Sequence, residues 1–235
     1  MSSNVPTQPD GSRRTRFRRD TPIPMRLTHD DLAIVRMVAK HRFLRSTHIV
    51  RLLPGRSPKK VIERLGALYH NQYLDRPRAQ LDYYATIGSA PLVYALGNRG
   101  ADALREVDGT NRGEIDWTWK NRKATRVFIE HALLTADVAV AAACTAEARP
   151  DVLVMDSATI VARSPDTKMP VKLSIKTQVA GRMMDLAVVP DDIIGLDFTA
   201  ERKRKYFFVE ADRGTMPVMR TELEQTWIYR KFLTY

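Results

Sequence analysis

Carboxylates follow two apolar runs in the second half of the chain. Pro190-Asp191 ends one predicted strand, and the run 206–209 leads directly into Glu210 and, two residues later, Asp212. Because side chains alternate across a strand, we expect Glu210 and Asp212 on one face and Asp191 close to Glu210. Carboxylate oxygens are the ligands that Mg²⁺ prefers, so Asp191 and Glu210 are the predicted metal ligands. With Glu130 from a preceding helix, the four carboxylates are candidate catalytic residues for metal-assisted phosphodiester hydrolysis.

Each of these carboxylates also has a structural interpretation. Asp191 and Asp192 after Pro190 suit turn chemistry. Glu210 and Asp212 could belong to an ion-pair network with Arg213 or be simply exposed, and a helix carboxylate such as Glu130 is often part of a solvated face. The sequence alone leaves these alternatives open.

A second group of residues could bind a polyanion. Residues 1–78 hold 17 Lys/Arg against 6 Asp/Glu and residues 79–235 hold 21 against 21, so the whole net charge of +11 lies in the first third. Neutralising phosphates with such cations releases counterions, which favours nucleic acid as the partner. The residues expected to contact DNA are Ser57, Lys59, Lys60, Arg64, Arg76, Arg78, Arg45, Arg16, Arg18 and Arg19.

Helical spacing shows which elements must position these cations. Thr28 is a predicted N-cap for a helix ending near His41, and a second short helix starts at Ser46 and stops at Pro54-Gly55. Ser57 then caps a third helix with Pro58 at its first position. Three such helices, with a tight turn between the second and the third, are typical of a helix-turn-helix whose later helix enters the major groove.

A hairpin is expected after the third helix. Extended runs at residues 73–74 and 93–96, joined by a loop around 87–91, predict a wing, and a short helix up to Val107 would close the module. Residues 27–107 are therefore predicted to form a winged helix-turn-helix that binds double-stranded DNA, preceded by a disordered basic tail at 1–26. The alternative is a winged helix used only for protein contacts, because a fold does not fix its function.

The remainder of the chain is predicted to be a linker followed by a second domain. Residues 108–123 are polar and carry Trp117 and Trp119, which we interpret as packing anchors. Residues 124–235 alternate helical and extended patterns, which indicates an α/β or α+β layer structure. The predicted elements are a long helix at 125–148, strands at 152–155, 171–175, 186–189 and 206–209, and a helix at 221–233.

Two resemblances connect these observations. The string Val209-Glu210-Ala211-Asp212-Arg213-Gly214-Thr215 resembles the replication-relaxation family of plasmid and mobile-element proteins, and the helix, strand, Pro-Asp, strand, Glu layout resembles the PD-(D/E)XK nuclease-like superfamily. The resemblance implies an α+β chain with a winged helix before a nuclease-like domain. It also implies a DNA-binding accessory in plasmid replication, relaxation or mobilisation, acting with a relaxase or a replication protein.

The nuclease-like pattern is incomplete. In that superfamily the third motif normally ends in Lys, and this chain has Asp212 there, which favours a non-catalytic accessory and leaves a Mg²⁺-dependent nicking endonuclease as the alternative. Lys205, Lys176 and Arg213 are the residues that could supply the missing positive charge. The chain ends at Tyr235, soon after the helix that follows this motif, so the nuclease-like domain is expected to be truncated.

Compartment and assembly are less constrained. The single cysteine, Cys144, favours a reducing compartment, and the polar N-terminus has no apolar stretch typical of a secretory signal, so a cytoplasmic protein is expected. No run of about 18 consecutive apolar residues occurs, which predicts no membrane span. A homodimer on repeated half-sites is the expected assembly.

Overall fold

The computed structural model describes residues 16–22, 24–80, 90–109, 114–164, 167–179, 181–214, 217–218 and 228–235. The chain separates into two compact units, residues 1–136 and 137–235. This division falls inside one long helix, whereas the sequence pattern suggests a boundary at 123/124. The two units are mixtures of helices and small antiparallel sheets, in agreement with the expected α+β class.

Unit 1 begins with three helices at the predicted places. They are α1 (His29–His41), α2 (Ser46–Arg51) and α3 (Pro58–His70). Thr28 and Asp31 form a capping box at the start of α1, which satisfies backbone donors that have no partner inside the helix. Ser57 is the N-cap of α3, but its side chain makes no capping hydrogen bond.

A three-stranded antiparallel sheet is formed by one strand that precedes helices α2 and α3 in the sequence and two strands that follow them. The strands are β1 (Phe43–Arg45), β2 (Leu74–Asp75) and β3 (Val93–Leu96), in the order β1-β3-β2. The β2–β3 pairing confirms the predicted hairpin, while most of its expected loop, residues 87–89, lies outside the described residues. Strand β1, which follows Arg42 at a φ of 65°, was not predicted because three residues carry no periodicity.

Unit 1 has a continuous apolar core. Its most buried side chains come from the sheet and from every long helix of the unit, with Ile49 of α2 and Leu104 among them, and one cluster combines Phe43, Val93 and Ala95 with Ile129 and Leu133. Helix α4 (Asn98–Asp108) packs closely on the turn before β2, because a Cβ at Gly100 would lie 2.2 Å from the Tyr73 carbonyl oxygen. Because Ile129 and Leu133 belong to this core, unit 1 depends on residues well beyond the predicted end of the module at Val107.

The expected linker contains a helix, α5 (Trp117–Lys123), that is anchored to the sheet. The side-chain amide of Asn121, 3% exposed, donates to Asp75 Oδ2 and to the Leu96 carbonyl, each at 2.8 Å. Trp117 is buried, as an anchor should be, but Trp119 is 56% exposed. Residues 117–123 are thus part of unit 1.

Helix α6 (Arg126–Glu147) coincides with the predicted long helix. By length and composition it is the one helix in the described part of the chain that could cross a membrane. The absence of about 18 consecutive apolar residues did not reveal it, because a few polar residues interrupt this Ala-rich helix. Ile129 and Leu133, from its first half, lie in the core of unit 1. Of the apolar stretch of α6, 22% is buried, so this packing covers a small part of the helix, and the cytoplasmic location stays a prediction.

Unit 2 holds five strands and two short helices among its described residues. The elements are β4 (Val152–Met155), α7 (Ser157–Ala162), β5 (Leu173–Val179), β6 (Arg182–Val188), β7 (Asp192–Phe198), β8 (Lys203–Val209) and α8 (Ile228–Thr234). Strands β4-β7-β8 form one antiparallel sheet and β5-β6 a separate hairpin. Strand β7 and helix α7 were not predicted.

Helix α8 packs on the β5–β6 hairpin. Leu233 packs against buried Val179 and Leu186, and the Tyr235 ring stacks on Phe208 of β8 with ring centroids 5.2 Å apart. The predicted last helix, 221–233, is observed from Ile228, and residues 221–227 lie outside the described part.

Candidate nucleic-acid interface

The N-terminal half of α3 presents cations to solvent on one face. Lys59 and Lys60 are exposed, as is Ser57 before them, while Val61, Leu65 and Leu68 on the opposite face are buried. Because three apolar side chains at helical spacing hold α3 against the core, the orientation of the two lysines is fixed. They have the exposure that contacts with phosphate require.

Arg64, predicted to contact DNA, is bound to the protein itself. Its Nε donates to Asp31 Oδ1 at 2.9 Å and its Nη2 to Asp31 Oδ2, while Asp31 is fully buried. Asp31 Oδ2 also accepts from the Thr28 backbone N–H at 2.8 Å. Burial raises the pKa of Asp31, but the hydrogen bonds from Arg64 and Thr28 outweigh it and hold that pKa below its usual value.

Two further predicted DNA contacts, Arg19 and Arg76, lie around Tyr69 at the end of α3. Their guanidinium carbons are 4.4 and 4.1 Å from the centre of the Tyr69 ring. Arg19 donates to Asp75 and to the Leu74 carbonyl, and Arg76 donates to the Arg16 carbonyl at 2.7 Å. These side chains hold residues 16–19, which belong to the predicted tail, against the base of the hairpin.

The other predicted cations differ in their surroundings. Arg16, Arg18 and Arg78 are exposed. Arg45 is half-buried, with its Nη1 3.2 Å from His48 Nε2. Among the residues expected to bind DNA, Lys59, Lys60, Arg18 and Arg78 combine exposure with no described bond.

The positive charge of the chain belongs to unit 1. Residues 1–136 contain 24 Lys/Arg and 13 Asp/Glu, a balance of +11, and residues 137–235 contain 14 of each. Unit 2 is therefore electrically neutral overall, and long-range attraction of a polyanion falls to unit 1.

The predicted metal ligands Asp191 and Glu210 lie at the same end of the β7–β8 hairpin. The Asp191 backbone N–H donates to the Val209 carbonyl at 3.0 Å, and its Oδ2 accepts from the Ala211 N–H at 2.8 Å. Asp191 thus bonds to the residues on both sides of Glu210. Its turn role and its proximity to Glu210 are both present.

Both oxygens of Glu210 are bound by groups from the end of the chain. Oε2 accepts from the Lys231 ammonium and Oε1 from the Tyr235 hydroxyl. Burial and the bond to Glu210, with Asp191 adding repulsion, raise the pKa of Tyr235. Lys231 therefore supplies a positive charge that sequence reasoning sought at Lys205, Lys176 or Arg213, and no local spacing could reveal a partner 21 residues away.

The remaining candidate carboxylates, Asp212 and Glu130, have partners close to them in the sequence. Asp212 is exposed and accepts from the Gly214 N–H at 3.0 Å, and since β8 ends at Val209, Glu210 and Asp212 do not alternate on a strand. Glu130 is bound to Arg126 one helical turn away. Among the described residues, no group of three or more His, Cys, Asp or Glu could hold a metal ion.

The fold and the charge distribution define a mixed α+β protein with one strongly basic unit and one neutral unit. The chain belongs to the replication-relaxation family, whose profile matches residues 35–235. Membership of this family indicates a role in plasmid replication or relaxation. Neither the curated proteins nor the solved structures include a significant match to the chain.

Proposed function

We propose that the chain is a DNA-binding accessory of plasmid replication, relaxation or mobilisation, which binds duplex DNA through a winged helix-turn-helix in unit 1. The observation that carries the proposal is α3, which buries one face and exposes Lys59 and Lys60 on the other in the unit that holds all the excess positive charge. A relaxase or a replication protein is the proposed partner.

The order of elements in unit 1 supports this function. Helix, strand, two helices, two-stranded hairpin and helix follow one another, with the hairpin strands in one antiparallel sheet. Six residues, 52–57, connect α2 to α3, and in a helix-turn-helix the second helix of such a pair lies in the major groove. In that arrangement Lys59 and Lys60 contact backbone phosphates.

The experiment is a salt titration of binding to a fluorescent DNA duplex, measured by anisotropy on the full chain. The double variant Lys59→Gln/Lys60→Gln is compared with Lys172→Gln/Lys176→Gln, which removes the same charge from exposed residues of neutral unit 2. The slope of log K against log salt is negative, and each lost phosphate contact lowers its magnitude by about 0.9. We therefore expect this magnitude to fall by about 1.8 for the first variant.

The control variant should leave both the slope and the affinity close to the wild type. Equal effects of the two variants would show that only net charge matters and would remove α3 from the interface. Circular dichroism of each variant verifies that the fold is retained.

A metal-dependent endonuclease is the second candidate, supported by the proximity of Asp191 and Glu210 and by the cation of Lys231. The carboxylates fit a metal ion poorly, because both Glu210 oxygens are already bound by the chain, so we derive no hydrolytic step from them. Supercoiled plasmid incubated with Mg²⁺ or Mn²⁺ tests this function beside Asp191→Ala and Glu210→Ala. Nicking that both substitutions abolish would replace the accessory role with a nuclease.

A further inference from the structure

A cleft of about 480 Å³ opens in unit 1 between the end of α3, the residues after β2 and helix α5. Its charged lining consists of four arginines and one aspartate, namely Arg19, Arg76, Arg78, Arg122 and Asp75. The cleft therefore carries a formal excess of three positive charges. Unlike the lysines on α3, these cations converge on a concave surface.

The single acid of the cleft is already used. Asp75, whose side chain is 9% exposed, accepts from Arg19 at Oδ1 and from the Asn121 amide at Oδ2. Neither oxygen is left without a donor, so Asp75 compensates Arg19. Arg122 interacts with Asp116, which does not line the cleft, and the described lining offers no second acid to Arg76 or Arg78.

Two donors in the cleft have no partner within the described part of the protein. Arg19 Nη1 and Arg76 Nε are buried and make no hydrogen bond there. A buried donor on a charged group that remains unsatisfied is costly, on the order of 1–3 kcal/mol or more. An oxyanion bound in the cleft would neutralise the excess charge of the arginines that line it, and a small shift of Arg19 or Arg76 would let it accept from such a donor.

The guanidinium groups that carry these donors are held in place. Both lie against the Tyr69 ring, and Arg76 is further fixed by its bond to the Arg16 carbonyl and by the Tyr94 hydroxyl at 3.2 Å from its Nη2. A planar guanidinium presents its donors as a rigid fork that matches the oxygens of a phosphate. Fixing that fork in advance reduces the entropy lost on binding.

We propose that this cleft binds one phosphate group of the DNA backbone, next to the groove that α3 enters. The inference deepens the proposed function and rests on it. It adds two residues that the sequence patterns do not single out: Tyr69, which orients two arginines, and Arg122, which comes from α5. The segment expected to be a linker thereby becomes part of the DNA-binding surface.

Arg78 and Arg122 allow the proposal to be tested without disturbing the fold, because both are exposed and line the cleft. The double variant Arg78→Gln/Arg122→Gln is titrated with the same fluorescent duplex over a range of salt concentrations. We expect the magnitude of the slope of log K against log salt to fall by up to about 0.9, because both arginines act on the same phosphate. Lys172→Gln/Lys176→Gln is again the control of equal charge.

A second measurement uses inorganic phosphate as the probe. Thermal unfolding is recorded in phosphate and in sodium chloride at equal ionic strength, and phosphate should stabilise the wild type more than Arg78→Gln/Arg122→Gln. Stabilisation by phosphate that is lost in the variant, with unchanged DNA binding, would assign the cleft to a free phosphate ligand and overturn the DNA assignment.

The outcomes separate this inference from the proposed function. If Arg78→Gln/Arg122→Gln binds DNA like the wild type while Lys59→Gln/Lys60→Gln binds weakly, the cleft is not a DNA contact but the α3 interface stands. A wild-type chain that does not bind duplex DNA at all overturns both. A smaller magnitude of the salt slope in both variants supports both the α3 interface and the phosphate contact in the cleft.

Discussion

Replacing Asp31 by Asn removes the negative charge from a side chain that is 0% exposed while leaving its size nearly unchanged. The Arg64 guanidinium, 38% exposed, then loses the carboxylate to which it donates two hydrogen bonds. Breaking a buried ion pair by removing one partner costs about 3–5 kcal/mol. Because water can reach part of Arg64, we expect a loss near the lower end, about 3 kcal/mol.

Asp30 provides a matched control in the adjacent position. It forms the same kind of two-pronged pair, with Arg56, but on the surface, where the side chains of Arg56 and Asp30 are 56% and 38% exposed. Surface pairs contribute little to stability, so Asp30→Asn should unfold at nearly the temperature of the wild type. By contrast, the loss of about 3 kcal/mol expected for Asp31→Asn should lower the unfolding temperature of a unit of this size by about 10 °C.

The assay is thermal unfolding of the full chain at pH 7 and at pH 3, with hydrogen exchange to assign the transition to α1 and α3. Asp31 has a pKa below its usual 3.8 in the folded chain, so its contribution is present above about pH 4 and is lost as the pH falls through the folded pKa. The gap between the wild type and Asp31→Asn should therefore narrow at acid pH. Equal unfolding temperatures for Asp30→Asn and Asp31→Asn at pH 7 would refute the reasoning.

Three more predictions concern packing and the end of the chain. Gly100→Ala places a Cβ 2.2 Å from a backbone carbonyl oxygen and should strongly lower the thermal stability of unit 1. Gly66→Ala, whose Cβ has its nearest neighbour at 4.0 Å, should raise the stability by up to about 1 kcal/mol. Similar shifts of the unfolding temperature in the two variants would contradict this. Lys231→Met leaves Glu210 without its cation, so amide exchange in α8 should accelerate, and unchanged exchange would mean that the pair does not hold the helix. Burial, followed by the bond to Glu210, raises the pKa of Tyr235. The neutral phenol therefore stabilises the fold below its usual pKa of 10, and this contribution is lost as the pH rises above it. Absorbance at 295 nm, with Tyr235→Phe as the reference, should show titration of Tyr235 above pH 10, and Glu210→Gln should move that titration to lower pH.

Local sequence signals were sufficient for most of unit 1. The capping residue Thr28, the Pro54-Gly55 stop and the Pro58 start each act within a few residues. Helices α1 and α3 begin where these residues indicate, and α2 ends at Arg51, three residues before Pro54. The β2–β3 hairpin could be predicted because both strands contain apolar runs.

What the sequence missed depends on contacts distant along the chain. Arg64 and Asp31 are 33 residues apart, so a cation that looks available on a helix face is in fact bound. Strand β7 was hidden because Pro190-Asp191-Asp192 is a turn signal and Gly195 interrupts the apolar pattern. In the structure, a Cβ at Gly195 would lie 2.7 Å from the methyl group of Met155, so the glycine lets that flexible side chain pack directly on β7.

The core of unit 1 also determines how the protein can be divided. A fragment ending at Lys123, where sequence patterns place the boundary, would lack Ile129 and Leu133 and would leave Phe43, Val93 and Ala95 facing water. Such an apolar patch promotes aggregation. A fragment that contains unit 1 alone should therefore extend at least through Ala136, and an insoluble shorter fragment would reflect a missing part of its own core rather than the absence of unit 2.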